Sequence, residues 1–334
     1  MPVQSFVLPG DVIQDYVKVS KISSVPINEY GKIRRSFDSF SFDGTCCWCS
    51  HCINYMAPTY STDAALQKNQ EEAQYWFTEE TLNVISNALT EDGIDSVLCI
   101  GTPTLFDFLQ KASSDQPVNG KRCFLLDFDD RMAHFYGADE FARYSMLNNH
   151  FYNADSRNEL IKFFARVGKV GIVCDPPFGV FIDALMKSLG SLKEMIRTSS
   201  EINNSSDMST MLVLPIFVGK HVLKDPSFSM VDFKVTYENH KAYSKPDSSV
   251  VRIFTDVRNN AFVLSSKHGY RFCEKCDRYV AQDNLHCLKC AKCPSRDGSK
   301  YIHCSACSRC VKSIYKHCTQ CKTCHLPSRH IVNL

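Results

Sequence analysis

The sequence predicts a doubly wound, mostly parallel α/β sheet followed by a short metal-stapled module. Three observations predict it. Strand-length apolar runs alternate with helix-period stretches through the middle of the chain, eleven of the 18 cysteines lie between Cys273 and Cys324, and charge divides at the same place. Residues 270–330 carry 12 Lys+Arg against 4 Asp+Glu, a net of +8, whereas the remainder carries 26 against 32, a net of −6. The total of +2 over 334 residues thus combines an acidic body with a basic tail. Such a tail points to a polyanionic partner, foremost nucleic acid.

Taken in chain order, residues 1–69 come first as an N-terminal region. No apolar run reaches the length of a membrane span, and the start, MPVQSFVLPGDVIQ, has neither the basic nor the apolar part of a secretory signal. Both features argue against an integral membrane or secreted protein. Without a secretory signal the cysteines read as metal ligands, because cytosol and nucleus keep thiols reduced. The first 40 residues show no strong period. The cluster CCWCSHC then offers Cys46 or Cys47, Cys49, His51 and Cys52, which stand either as one zinc site or as unliganded thiols.

Residues 70–265 form the predicted α/β domain. Strands are expected at DSVLCIG (95–101), KRCFLLDF (121–128), KVGIVCD (169–175), TMLVLPIF (210–217), SMVDFKVTY (229–237) and SVVRIFT (249–255). Helices are expected at EETLNVISNALT, TLFDFLQKA, RNELIKFFARV and VFIDALMKSLGSLKEMI. This alternation puts helices on both faces of one sheet. The later strands come with fewer helices, which suggests a hairpin closing one edge. SSEINNSSDMS reads as a polar loop, and Cys99, Cys123 and Cys174 read as inert core thiols.

Open α/β sheets bind ligands beyond the carboxyl ends of their strands, near the point where strand order reverses. The first strand ends in Gly101, where a ligand can approach the backbone. The second ends in LLDFDD, placing Asp127 or Asp129 where a carboxylate could take ribose hydroxyls. The third informative end is Asp175-Pro176-Pro177-Phe178-Gly179. Two prolines fix φ and remove two N–H donors, leaving carbonyl acceptors in a rigid loop. That loop suits a planar amine such as the exocyclic nitrogen of adenine, whose lone pair is delocalised into the ring. Asp175 and the Pro176 carbonyl can accept its two N–H bonds while Phe178 stacks on the base. The alternative is a proline-rich turn with a core Phe.

DPPFG resembles the fourth motif of class I, Rossmann-like amino-methyltransferases. With AQYWF (73–77), VLCIGTP (97–103), LLDFD (125–129), YSMLNNHFYN (144–153), VRIFT (251–255) and GYRFCEKCDRYV (269–280), residues 70 to 325 are similar to CCHC-type zinc-finger ribosomal RNA adenine-N6-methyltransferases. The resemblance implies S-adenosylmethionine as cofactor and N6-methylation of an adenosine in large-subunit ribosomal RNA. It further implies that Gln74, Tyr75, Trp76 and Phe77 form a lid over the methionine part, with Gly101 against it. Asp127 would hold the ribose, Asn153 would lie near the cofactor adenine, and Asp175 to Phe178 would hold the target base. A nuclear, nucleolar and cytoplasmic location is implied in the same way. The resemblance departs at one end: members carry further zinc modules near the N-terminus, and here no cysteine precedes Cys46.

Residues 270–330 are the predicted zinc module. Cys273-x2-Cys276 is followed by three repeats of His-Cys-x2-Cys-x2-Cys, beginning at His286, His303 and His317. Ligand pairs at this spacing with recurring His mark tetrahedral structural zinc. An interleaved assignment gives Cys273, Cys276, His286 and Cys293; Cys287, Cys290, His303 and Cys310; and Cys304, Cys307, His317 and Cys324. Cys318 and Cys321 remain for a fourth metal with His325 or His330, so the sequence supports three ions more firmly than four. A bacterial ferredoxin pattern needs a fourth Cys after three further residues, where Met56, Asp297, Ile314 and Ser328 stand instead. Lys289, Lys292, Arg296, Lys300, Arg309, Lys312, Lys316 and Lys322, with Tyr301 and Tyr315 interleaved, are expected to meet RNA phosphates and unpaired bases. Two other readings stay open: a protein-lysine methyltransferase, and an inactive zinc scaffold that only binds RNA.

Overall fold

The computed structural model describes residues 74–115, 121–165, 168–199 and 208–329, and the backbone of two short paired strands, β1 (Cys47–Cys49) and β2 (Asn54–Met56). The side chains of the CCWCSHC cluster, residues 200–207 of the SSEINNSSDMS stretch and His330 lie outside the described residues.

Five strands form the parallel body of the sheet: β3 (Ser96–Ile100), β4 (Arg122–Asp127), β5 (Phe141–Ser145), β7 (Val170–Cys174) and β8 (Met208–Pro215). Three antiparallel strands complete it: β6 (His150–Phe151), β9 (Ser229–Met230) and β10 (Val251–Thr255). The order is β6-β5-β4-β3-β7-β8-β10-β9. From β3 the chain first moves outward through β4 and β5, then returns to add β7 on the other side, so strand order reverses between β3 and β7.

Side-chain alternation divides the core into two layers. Val97, Cys99, Leu125, Val173, Val213 and Ile253 face helices α1 (Glu79–Glu91) and α2 (Pro103–Asp115). Their neighbours Leu98, Ile100, Leu126, Ile172, Leu212 and Phe254 face α3 (Ala154–Phe164) and α4 (Ile182–Ser199). Burial on both faces explains why the central strands read as continuous apolar runs. Helix α1 begins where the Thr78 hydroxyl accepts the Thr81 N–H, with Glu79 and Glu80 in the positive first turn. It buries Thr81, Ile85, Ala88 and Leu89 on one face.

The β5–β6 pair and the short helix α5 (Ile216–Gly219) are additions to the elements expected from sequence. Strand β5, FARYS, mixes charge with small residues and shows no clear period of two, which is why its pattern is weak. The expected strand at 229–237 keeps ladder geometry only at Ser229–Met230. Beyond it Val231 N–H still donates to Ile253 and Val235 N–H to Val251, so the segment stays extended beside β10.

The tail is built of three hairpins: β11 (Tyr270–Cys273) with β12 (Arg278–Ala281), β13 (Tyr301–Cys304) with β14 (Arg309–Lys312), and β15 (Lys316–Cys318) with β16 (Thr323–His325). The first is fastened to the β9 edge of the sheet. Buried Asp232 accepts from the Ala281 N–H at 3.0 Å and from the Asn284 amide at 2.7 Å. Arg278 donates to the Met230 carbonyl at 2.9 Å, and the Tyr270 hydroxyl accepts the Lys234 N–H at 3.0 Å. An edge that would otherwise offer unpaired backbone groups is thereby covered.

Candidate functional site

The two strand ends flanking the reversal meet directly. Gly101 follows β3 at φ +64°, and an added Cβ there would sit 2.9 Å from the Asp175 carbonyl and 3.2 Å from the Met146 methyl. Only a residue without a side chain fits both the left-handed backbone and this closeness. Asp175 follows β7 with its N–H bonded to the Ile100 carbonyl at 3.1 Å. Its Oδ1 accepts the Tyr237 hydroxyl at 3.1 Å. Burial pushes the Asp175 carboxyl well above the usual carboxylate range, with the Tyr237 bond pulling the other way. Pro176 is buried and Pro177 exposed; the Pro177 carbonyl closes the turn on Val180 N–H at 2.9 Å. No backbone donor among the described residues reaches the Pro176 carbonyl, so it stands beside Asp175 as a second acceptor.

Asp127 ends the neighbouring strand β4 and is 4% exposed. Its Oδ1 accepts the Asp129 N–H at 2.9 Å and the Gln74 side-chain amide at 3.1 Å, while Oδ2 is buried with no hydrogen-bond partner among the described residues. Burial raises its pKa to about 6 against the lowering effect of the Asp129 N–H. A buried carboxylate with one open oxygen fits a diol, whose hydroxyls would supply the missing donors. Asp129, the other candidate, is already held by the Arg131 guanidinium at 2.5 Å and caps the turn that follows. Asp127 could therefore hold the hydroxyls of a ribose, and Gly101, whose N–H donates to the Leu126 carbonyl at 2.8 Å, leaves its backbone open at the neighbouring strand end.

The Gln74–Phe77 segment crosses this cleft. Gln74 reaches Asp127, and Asn239 clamps the segment by donating to the Gln74 carbonyl at 2.7 Å and accepting the Trp76 N–H at 2.9 Å. Tyr75 stands partly exposed against His240 and Tyr237, and Phe77 is buried and stacked on Tyr237 at 5.3 Å. Asn153 stands at the start of α3. Its side-chain oxygen accepts the Asp155 and Ser156 N–H groups as the N-cap of α3, at an exposed site, and it touches neither Gly101 nor Asp127 through a hydrogen bond among the described residues.

Sequence reasoning missed the wall opposite the DPPF turn. Phe178 lies 5.6 Å from Tyr243, 6.0 Å from His240 and 6.4 Å from Tyr237, and His240 stacks on Tyr243 at 4.3 Å. The His240 Nδ1 accepts the N–H groups of Ala242 and Tyr243, each at 3.1 Å. Burial lowers its pKa, so the ring is neutral with its proton on Nε2. The only signal for this wall was the aromatic density of the stretch YENHKAY, which has no helical or strand period. One segment serves both ends of the molecule: Asp232 and Lys234 seat the tail, and Tyr237, Asn239 and His240 wall the cleft.

In the tail the interleaved cysteine and histidine sets come together in space. In the first, the His286 Nδ1 is 3.7 Å from Cys273 and 3.2 Å from Cys276, and the Cys276 and Cys293 sulfurs are 3.8 Å apart. The second set has Cys290 and Cys310 sulfurs 3.6 Å apart and His303 3.7 Å from Cys287. The third has Cys307 and Cys324 sulfurs 3.7 Å apart and His317 3.7 Å from Cys304. A zinc tetrahedron with Zn–S arms of about 2.3 Å has S···S edges of about 3.8 Å. The sulfurs are thus spaced for a metal and too far apart for disulfides. Of the eight basic residues from Lys289 to Lys322, seven are exposed, and Lys312 is paired with Asp297 at 2.5 Å.

The family described as "Probable N6-adenine methyltransferase" matches residues 68–259, more than half of the chain. Among curated proteins the chain is similar to the rRNA N(6)-adenosine-methyltransferase ZCCHC4 of Mus musculus, 36% identical over 232 residues, covering 67% of this chain and 45% of the relative. The protein of the same name from Xenopus tropicalis is 35% identical over 230 residues, covering 66% and 47%, and that of Homo sapiens 34% over 231 residues, covering 66% and 45%. The chain spans about half the length of the curated relatives it matches. It belongs to the N6-adenine methyltransferase family.

Proposed function

We propose that this member of the N6-adenine methyltransferase family methylates N6 of an adenosine in RNA, with large-subunit ribosomal RNA as substrate. The observation that carries the reading is the pair of acceptors at the strand reversal, Asp175 and the Pro176 carbonyl, beside an aromatic wall and at the same end of the sheet as Asp127. S-adenosylmethionine, when bound, supplies an electrophilic methyl group on sulfur. Asp127 takes its ribose hydroxyls, Gln74 keeps that carboxylate oriented, and Gly101 gives the room a side chain would fill.

The target amine is a poor nucleophile because its lone pair is spread into the ring. Two fixed acceptors favour the pyramidal nitrogen of the transition state, and they are in place before the base arrives. Tyr237 holds one Asp175 oxygen, so the other can face the amine. A carboxylate whose proton affinity is raised by burial can also take the proton that the methylated amine sheds. Phe178, with Tyr243 and His240 beside it, offers stacking surface for a base turned out of its helix. The exposed Lys289, Lys292, Arg296, Lys300, Arg309, Lys316 and Lys322 give the RNA backbone a place to dock. A ribosomal substrate would place the enzyme in nucleus, nucleolus and cytoplasm.

Incubating zinc-loaded protein and labelled S-adenosylmethionine with total RNA and, separately, with a protein extract tests this. Label is expected in N6-methyladenosine of large-subunit ribosomal RNA. Label in protein alone overturns the reading. Asp175→Ala should lower transfer by about 10²–10³-fold or more while leaving RNA affinity unchanged.

A further inference from the structure

We propose that Asn239 is a positioning residue that couples the two ligands of the cleft: through it, cofactor held at Asp127 organises the wall of the target-base pocket, so that each ligand tightens the binding of the other. The inference rests on the assignment of Asp127 to the cofactor and of Asp175 and Phe178 to the base, and adds the link between them. Three observations carry it.

The first is that the 74–78 segment and the wall segment are paired as one unit. The Thr78 N–H donates to the Thr236 carbonyl at 3.1 Å and the Glu238 N–H to the Trp76 carbonyl at 2.8 Å, with Phe77 and Tyr237 bridged between them in antiparallel fashion. Beyond Trp76 the pairing passes to a side chain. Asn239 accepts the Trp76 N–H at 2.9 Å and donates to the Gln74 carbonyl at 2.7 Å, in the place of a backbone ladder. An N–H can only donate and a carbonyl only accept, so the Asn239 amide has one orientation and both of its ends are used.

The second is that the two sides of this unit reach different ligand sites. On one side the Gln74 amide donates to the Asp127 Oδ1 at 3.1 Å. On the other the Tyr237 hydroxyl donates to the Asp175 Oδ1 at 3.1 Å, and His240 lies 6.0 Å from Phe178 and stacks on Tyr243. Asn239 stands between Tyr237 and His240 in the chain. The path from the ribose acceptor to the base pocket is therefore a run of direct hydrogen bonds, Asp127 to Gln74 to Asn239, followed by one short stretch of backbone.

The third is the local character of the wall. Residues 238–243 lie between β9 and β10 outside any helix or strand, and the loop is closed on itself by the Tyr237 N–H on the Tyr243 carbonyl at 3.0 Å and the Tyr243 N–H on the His240 carbonyl at 3.2 Å. Glu238, Lys241 and Ala242 are exposed. Segments of this kind open at low free energy, and a ligand that needs them ordered bears the entropy of ordering. Ribose hydroxyls on Asp127 fix the carboxylate that Gln74 holds, and Asn239 passes that restraint to Tyr237 and His240. The second ligand then meets a wall already ordered, which gives positive coupling without a change of shape.

Hydrogen exchange of the zinc-loaded full chain, with and without saturating S-adenosylhomocysteine, tests the link in the absence of turnover. In the unsubstituted protein exchange should slow both at 74–78 and at 237–243; in Asn239→Ala it should slow at 74–78 alone. The second readout is the ratio of affinities for a large-subunit ribosomal RNA fragment with and without S-adenosylhomocysteine. It should be about tenfold in the unsubstituted protein and fall to about one in Asn239→Ala and in Gln74→Ala, which breaks the same link at its other end. Asn239→Asp keeps the acceptor for Trp76 but sets a carboxylate against the Gln74 carbonyl, and should behave as Asn239→Ala does. A purely structural role would weaken each ligand by itself and leave the ratio as it was. A ratio that persists in Asn239→Ala and Gln74→Ala, or a ratio of one in the unsubstituted protein, overturns the inference. Protection that spreads to 237–243 while RNA takes no methyl label overturns the substrate reading and supports the link, whereas exchange unaltered everywhere by S-adenosylhomocysteine overturns both.

Discussion

Strand β3 carries five consecutive buried residues between two helical layers, whereas β13, only one residue shorter, is half-buried at Tyr301, His303 and Cys304 and exposes Ile302. The body can be held by apolar burial because each central strand contributes to two clusters at once. The tail's apolar cluster among the described residues consists of Cys273, Val280 and Cys293, with Cys276 packed against it, and three of these four belong to a Cys/His set spaced to hold a metal. A segment of this size without a core needs another source of folding free energy, and metal bound at the Cys/His sets would supply it. Two neighbouring regions of one chain thus differ in what makes their backbone order persist.

Chelation breaks this comparison most severely. Structural zinc contributes on the order of 10 kcal/mol per site, so a strong chelator should abolish amide protection in β13 to β16 while β3 and β7 remain protected by hydrogen exchange. Equal loss in both regions would mean that the body depends on the tail. Apolar truncation gives the converse contrast. Leu126→Ala, at a fully buried site, should cost about 2–5 kcal/mol in denaturant unfolding followed by helix ellipticity. Leu288→Ala, at a site 75% exposed in the tail, should stay within about 0.5 kcal/mol.

The junction between the regions comes next in size. Asp232→Ala leaves the Ala281 N–H and the Asn284 amide buried without their acceptor, at about 1–3 kcal/mol. Exchange should quicken at 278–284 while zinc content holds. A pH titration sharpens the contrast at the cofactor cleft. Asp127 must be ionised to accept two hydroxyls, and its pKa is raised to about 6. Cofactor affinity should therefore be level well above that value and decline as pH falls through it, approaching tenfold per pH unit. Isothermal titration of Asp127→Asn should show a weaker and flat profile.

Much of the cleft was legible because strand ends are legible. Gly101, Asp127 and Asp175 each terminate an apolar run, and the reversal of a doubly wound sheet brings such ends together. The aromatic wall was not legible, because Tyr237, His240 and Tyr243 lie in an irregular stretch whose position depends on β10 and on the Asn239 clamp. The capping role of Asn153 was not legible either, because its residue type alone does not say where the following helix begins.

The sequence by itself determined the α/β class, the central strands and helices, and the partition of cysteines into interleaved ligand sets, because apolar period and ligand spacing are local quantities. Tertiary structure alone decided which carboxylate, Asp127 or Asp129, keeps an open oxygen, since that turned on the reach of Arg131 and Gln74. It also decided that residues 229–243 seat the tail at one end and wall the cleft at the other. Those outcomes depend on which distant groups meet, and no local pattern along the chain encodes that.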